Sequence, residues 1–186
     1  PERLQEAAGR HAALCENRPR PLIGVLLGGS SGPYVLGPAS AARLRGALAA
    51  LVSATGGSLW VTSSSRTPEP FFEALTAPLE GAAIAYRWRP DDPSNPYYGM
   101  LALADVLVVT GDSVAMLSEA AATGKPVLVF DIPTDAAGDS SMGARCYRWM
   151  MRWLPRRLTR DVAEFHRRFM AAGYGRFLDG APELAV

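Results

Sequence analysis

The chain has 186 residues, 48% of them hydrophobic and 20% charged, with a formal net charge of +1, the composition of a globular protein with a real core. So small a net charge offers no bulk electrostatic case for nucleic acid or membrane, and no run approaches the ~20 apolar residues of a membrane span. Two cysteines outside any CxxC spacing (Cys15, Cys146) and two isolated histidines (His11, His166) form no metal-ligand constellation, and they suit reduced thiols in a reducing, cytoplasmic setting.

Residues 1–20 carry charge throughout, unlike a signal peptide. Position 1 is Pro rather than Met, which reads as an excised or processed piece of a longer protein. Glu2 to Glu16 is Ala-rich, with Leu4, Ala7, Ala8 and Leu14 at roughly helical spacing. It predicts a helix packing on the domain edge or on a neighbouring domain. Asn17 to Pro21 is a stiff linker, so residues 1–20 form an N-terminal segment ahead of the main domain at 21–186.

Leu22 to Leu27 is the first strand, running into Gly28-Gly-Ser-Ser-Gly32. Gly28 and Gly29 let backbone approach a ligand closely, and consecutive amides there, with Ser30, could cradle a phosphate. The pattern is neither GxGxxG nor a Walker loop, and a plain strand-to-helix turn explains it as well. Pro38 opens a helix whose stripe is Leu44, Leu48, Leu51 and Val52, closed by Gly56-Gly57. Ser58 to Thr62 is the second strand, leading into Ser63-Ser-Ser-Arg-Thr-Pro68 and a helix from Glu69 to Leu79 with Phe72, Leu75 and Leu79 inward. Ser65 and Arg66 are candidate ligand contacts, Arg66 as a phosphate or carboxylate clamp. The alternative is a capping loop with an exposed Arg.

Ala82 to Tyr86 is a short, Ala-rich third strand, and residues 87–94 are loop. Asn95-Pro96 starts a short amphipathic helix. Trp88, Tyr97 and Tyr98 fit either stacking on a base or core and rim packing.

Residues 104–130 read as strand, loop, helix, loop and strand, a βαβ unit with parallel strands and a right-handed crossover. Asp112 is an expected N-cap, the helix runs to about Thr123, and Gly124 is the left-handed stop. Asp112, Ser113, Ser118 and Glu119 form a polar cluster beyond what a crossover helix needs. Asp112 and Glu119 fall seven apart, on nearly the same face about 10 Å along the axis, with Met116 between them. Either a cap and a solvated Glu, or a polar ligand at the strand's carboxyl end, accounts for them. Asp131 to Gly143 is loop, and Arg145 to Leu154 and Asp161 to Ala171 are helical. Arg145, Arg148, Arg152, Arg156, Arg157 and Arg160 begin a basic C-terminal third.

Five strands with intervening helices predict an α/β, Rossmann-like parallel sheet of order 3-2-1-4-5. Its switch point lies between the first and fourth strands, where Gly28–Gly32 and Thr110–Ser113 meet. That coincidence favours a ligand site there.

Gly28-Gly29, Thr62 with Ser65 to Pro68, Asn95-Pro-Tyr97, Ala104-Asp105, Val109 to Ser113, Met116, Ser118-Glu-Ala120 and Gly124-Lys-Pro126 recur as a set. They resemble the mitochondrial fission protein family of the elongated-mitochondria type, found in plants and proteobacteria. Phe165-His166 and Gly173 to Phe177 are similar to its C-terminal tail. Members are similar to GT-B glycosyltransferases, two Rossmann-like domains facing a cleft. The resemblance implies that this chain is the C-terminal, nucleotide-sugar-binding domain, inactive without its N-terminal partner domain. It implies no cofactor beyond a nucleotide-sugar ligand such as a UDP-sugar, a ribose contact at Glu119, and Ser113 and Asp112 near phosphates or sugar. An epimerase reading lacks its Tyr-x-x-x-Lys and opening GxGxxG. The alternative is a non-enzymatic module that keeps the fold and acts through protein or peripheral membrane contacts, favoured by the Arg-rich tail with Trp149 and Trp153.

Overall fold

The computed structural model describes residues 2–30, 35–79, 81–132 and 162–178. Chain order is α1 (Glu2–Cys15), β1 (Leu22–Leu27), α2 (Pro38–Thr55), β2 (Ser58–Ser63), α3 (Glu69–Thr76) with a 3-10 turn at Ala77–Leu79, and β3 (Ala83–Tyr86). There follow α4 (Tyr97–Leu103), β4 (Val106–Thr110), α5 (Val114–Ala121), β5 (Val127–Phe130), α6 (Val162–Ala171) and β6 (Arg176–Phe177). All six strands join one parallel sheet, ordered β3-β2-β1-β4-β5-β6.

The central strands are apolar on both faces because both faces are covered. Ile23, Val25 and Leu27 of β1 pack with Leu44, Leu48 and Leu51 of α2 and Phe71, Phe72 and Leu75 of α3. Leu22, Leu26 and Trp60 face the other way, toward Cys15 of α1, Met100 and Leu101 of α4, Leu117 and Ala120 of α5 and Phe169 of α6. Period-two alternation along β4 divides Val106 and Val108 from Leu107 and Val109 in the same manner. The result is the expected doubly wound sheet, with α2 and α3 on one side and α1, α4, α5 and α6 on the other.

Three expectations change. A sixth strand extends the sheet: Arg176 and Phe177 pair with Leu128 and Val129, and the Leu178 amide donates to the Val129 carbonyl. Two residues are too few for any periodicity, so only the adjacent β5 edge makes them a strand. Gly173, at φ +73°, supplies the turn that brings them there. Second, Asp112 is not the N-cap of α5. Ser113 is, with its hydroxyl accepting from the Met116 amide, and Asp112 turns into the protein. Third, Asp112 and Glu119 therefore do not share a face, since Asp112 precedes the helix and is buried while Glu119 is exposed.

Helix α1 is integrated into the layer it shares with α4. Ala7, His11 and Cys15 are buried, and His11 lies against Trp60 and Gly99. A side chain at Gly99 would stand 2.8 Å from the His11 ring, so glycine there sets the close approach of the two helices. The helical segment expected at Arg145 to Leu154, with Cys146, Trp149 and Trp153, lies outside the described residues.

Candidate functional site

The carboxyl ends of β1 and β4 are stitched together by side chains. The Gly28 amide donates to the Thr110 hydroxyl at 2.7 Å, and the Gly29 amide donates to Asp112 Oδ2 at 2.7 Å. From the β2 side, the hydroxyls of Ser64 and Thr67 donate to the Gly28 carbonyl. Both glycines are sterically required. A Cβ on Gly28 would lie 2.3 Å from Asp112 Oδ2, and one on Gly29 would lie 2.4 Å from the Arg66 carbonyl oxygen.

This turn is thus closed by internal partners. The two amides expected to cradle a phosphate already have acceptors, and Asp112 brings a carboxyl group beside them. Burial pushes the Asp112 carboxyl above its usual range, with the Gly29 amide pulling it partly back. Its Oδ1 has no hydrogen-bond partner among the described residues. On the far side of the loop, His166 of α6 is buried and its Nε2 lies 2.7 Å from the Gly111 carbonyl. A carbonyl only accepts, so that nitrogen carries the proton, and α6 thereby fixes the β4–α5 turn.

Beside the closed turn lies an open groove of about 490 Å³. Its floor at the end of β2 is Ser63, Ser64 and Ser65; the loop after β3 adds Trp88, Arg89, Asp91 and Asp92; α4 adds Tyr97 and Tyr98, α5 adds Met116, and α1 adds Arg3 and Arg10. Several of these positions are held firmly. Ser63 Oγ accepts from the Trp88 amide and Arg87 Nη1, and Asp92 accepts from the hydroxyls of Tyr86 and Ser94. Asn95 Oδ1 accepts from the Tyr97 amide at the start of α4.

Glu119 enters through Tyr97, whose hydroxyl donates to Glu119 Oε2 at 2.6 Å. Burial first, and then the Glu119 carboxylate, push the Tyr97 phenol well above its ordinary range. Tyr97 is therefore a fixed hydrogen-bond donor, and Glu119 is an exposed residue tied to the groove through Tyr97.

The expected site residues divide accordingly. Ser65 and Met116 line the groove, whereas Glu119 does not and is linked to it through the Tyr97 hydroxyl. Gly28, Gly29, Thr110, Asp112 and Ser113 belong to the closed turn or the cap beside it. Ser30 is exposed, its hydroxyl accepting from the Leu36 amide, and Arg66 is exposed with its backbone against Gly29. Ser118 donates to the Val114 carbonyl within α5 and faces a separate apolar groove shared with Phe165 and Phe169. Reading the sequence alone passes over Arg3 and Arg10; their seven-residue spacing on α1 was the available signal.

A family model described as mitochondrial fission ELM1 matches residues 1–183. The chain belongs to that family. It is 39% identical over 111 residues to mitochondrial fission protein ELM1 of Arabidopsis thaliana, a match covering 60% of this chain and 26% of the plant protein. It is 36% identical over 75 residues to an uncharacterised protein of Rickettsia prowazekii, covering 40% of this chain and 21% of that protein. The match thus spans about a quarter or less of these curated relatives. The family model reaches from α1 to beyond β6, so the helix carrying Arg3 and Arg10 is within the ELM1-family region.

Proposed function

We propose that this ELM1-family chain is a nucleotide-sugar-binding domain, the C-terminal half of a GT-B-like arrangement, acting in the cytoplasm and inactive without an N-terminal partner domain. The observation that carries the reading is a groove on the carboxyl edge of a doubly wound sheet, the edge where such sheets bind ligands, whose lining Tyr97 is bonded to the exposed Glu119. An exposed carboxylate with free lone pairs suits the vicinal hydroxyls of a ribose. Trp88 offers a ring surface for a base. General-base catalysis would fall to the partner domain across the cleft.

Calorimetric titration with UDP, ADP and GDP tests this. At least one should release or absorb measurable heat with the chain, and Glu119→Ala should weaken it by about tenfold, the loss of one charge-assisted hydrogen bond. No heat with any of the three overturns the reading.

A second reading, a non-enzymatic module working through protein or membrane contacts, is favoured by the groove of about 460 Å³ between α5 and α6. There Phe165, Phe169 and Tyr174 gather beside Arg168. Co-sedimentation with phosphatidylserine vesicles, weakened by Arg168→Gln at an exposed position of that groove, would support it; a chain that stays in the supernatant at low salt would exclude the membrane form.

A further inference from the structure

The groove carries two arginines without a carboxylate partner among the described residues, on the helix that the sequence places outside the main domain. The chain leaves α1 at Cys15 and enters β1 at the amino edge of the sheet. Helix α1 therefore descends from the carboxyl edge, and its first turns stand at the groove. Arg3 and Arg10, two turns apart, lie on one side of α1, and both line the groove. The Arg3 guanidinium lies 4.0 Å from the Tyr98 ring centroid, and neither arginine has a carboxylate partner among the described residues.

The other candidate places for a phosphate are less suitable. The Gly28 and Gly29 amides donate to Thr110 and Asp112, and the Asp112 carboxyl group beside them would oppose a second anion. The loop bearing Trp88 adds Arg89 together with Asp91 and Asp92, a net charge of −1, so it does not hold an anion by itself.

We propose that α1 is part of the ligand site, and that Arg3 and Arg10 hold the diphosphate of the bound nucleotide, with Trp88 left for the base. The proposal rests on the reading of this groove as a nucleotide site. Arginine suits the task because its planar fork binds phosphate oxygens in pairs.

The test compares UDP, uridine and inorganic pyrophosphate on the full chain and on an Arg3→Gln/Arg10→Gln variant, with ADP/adenosine and GDP/guanosine run in parallel. Both arginines are exposed, so an unchanged unfolding temperature will show that the variant folds. The expected result is a drop of about tenfold or more in nucleoside diphosphate affinity, unchanged nucleoside affinity, and loss of pyrophosphate binding. Equal diphosphate affinity in the variant and the parent chain overturns the proposal, as does an equal fall for diphosphate and nucleoside, which would assign the arginines to the base. If the parent chain binds no nucleotide at all, the groove's nucleotide reading falls first and this proposal with it.

Discussion

Asp112 is the residue whose sequence neighbourhood is least informative about its task. It follows a strand and precedes a helix, the position of a cap, yet it is 6% exposed and accepts from the Gly29 amide 83 residues away. Removing its side chain strands that amide in the interior. Asp112→Ala should cost about 1–3 kcal/mol, read from denaturant unfolding. The pH dependence has a definite sign. Burial raises the folded-state pKa, so the folded protein holds the proton more tightly than the unfolded chain, and stability is lost as pH rises through the unfolded value near 3.9 toward the folded one. Asp112→Asn removes that titration while keeping an acceptor for Gly29. Its stability relative to the parent chain should therefore rise as pH climbs above about 4; a flat or falling difference would contradict the assignment. Gly29 offers the complementary test. Its missing Cβ would meet backbone of Arg66, which cannot swing aside, so Gly29→Ala should cost about 1–3 kcal/mol.

Two helices are held by buried histidines, and each gives an element-scale prediction. On α1, His11 contacts the Ala7 and Ser94 carbonyls and the Trp60 ring. Deleting residues 1–16 should uncover Trp60, Met100 and Leu101, red-shift the tryptophan emission and lower the denaturation midpoint; an unchanged midpoint would mean α1 is a mere appendage. On α6, His166 anchors the β4–α5 turn through Gly111. His166→Ala should speed hydrogen exchange at the Gly111, Asp112 and Ser113 amides, while protection inside β1 and β2 stays high. Loss of protection across the whole sheet would instead indicate global destabilisation. Strongly apolar elements were legible in advance: β4 and β5 are the buried runs expected, and Leu44, Leu48 and Leu51 of the expected α2 stripe are buried, with Val52 partly so. Helix α5 was legible as well, except at its ends: it stops at Ala121 rather than about Thr123, and at its start Asp112 and Ser113 are both good caps in isolation while only the Gly29 amide draws one of them away.

At the scale of the whole molecule, the sheet order sets which loops can meet. The crossing from β3 to β4 over the middle of the sheet puts the ends of β1 and β4 side by side. The loops after β2 and β3, with α1 and α4, then bound the groove next to that junction. A ligand there should stabilise the folded chain as a unit. Saturation at a hundred times the dissociation constant adds about 2.7 kcal/mol, which differential scanning would record as a raised unfolding temperature for any nucleotide that binds. A nucleotide giving calorimetric heat without such a rise would be binding to something other than the native fold.

Local pattern determined the parallel α/β architecture, the positions of five strands and the two facing loops at the switch point, because apolar runs, glycine stops and helix caps act over a few residues. It also carried the motif set that marks the ELM1 family. Tertiary structure decided the rest, where the decisive partner is remote in sequence. It made a strand of Arg176 and Phe177, which have no pattern of their own, and closed the glycine turn on Asp112 and Thr110. It joined Glu119 to Tyr97 across 22 residues. Above all, it brought Arg3 and Arg10 from the N-terminal helix to the groove, since packing against α4 and the descent into β1, rather than any local signal, determine where α1 ends.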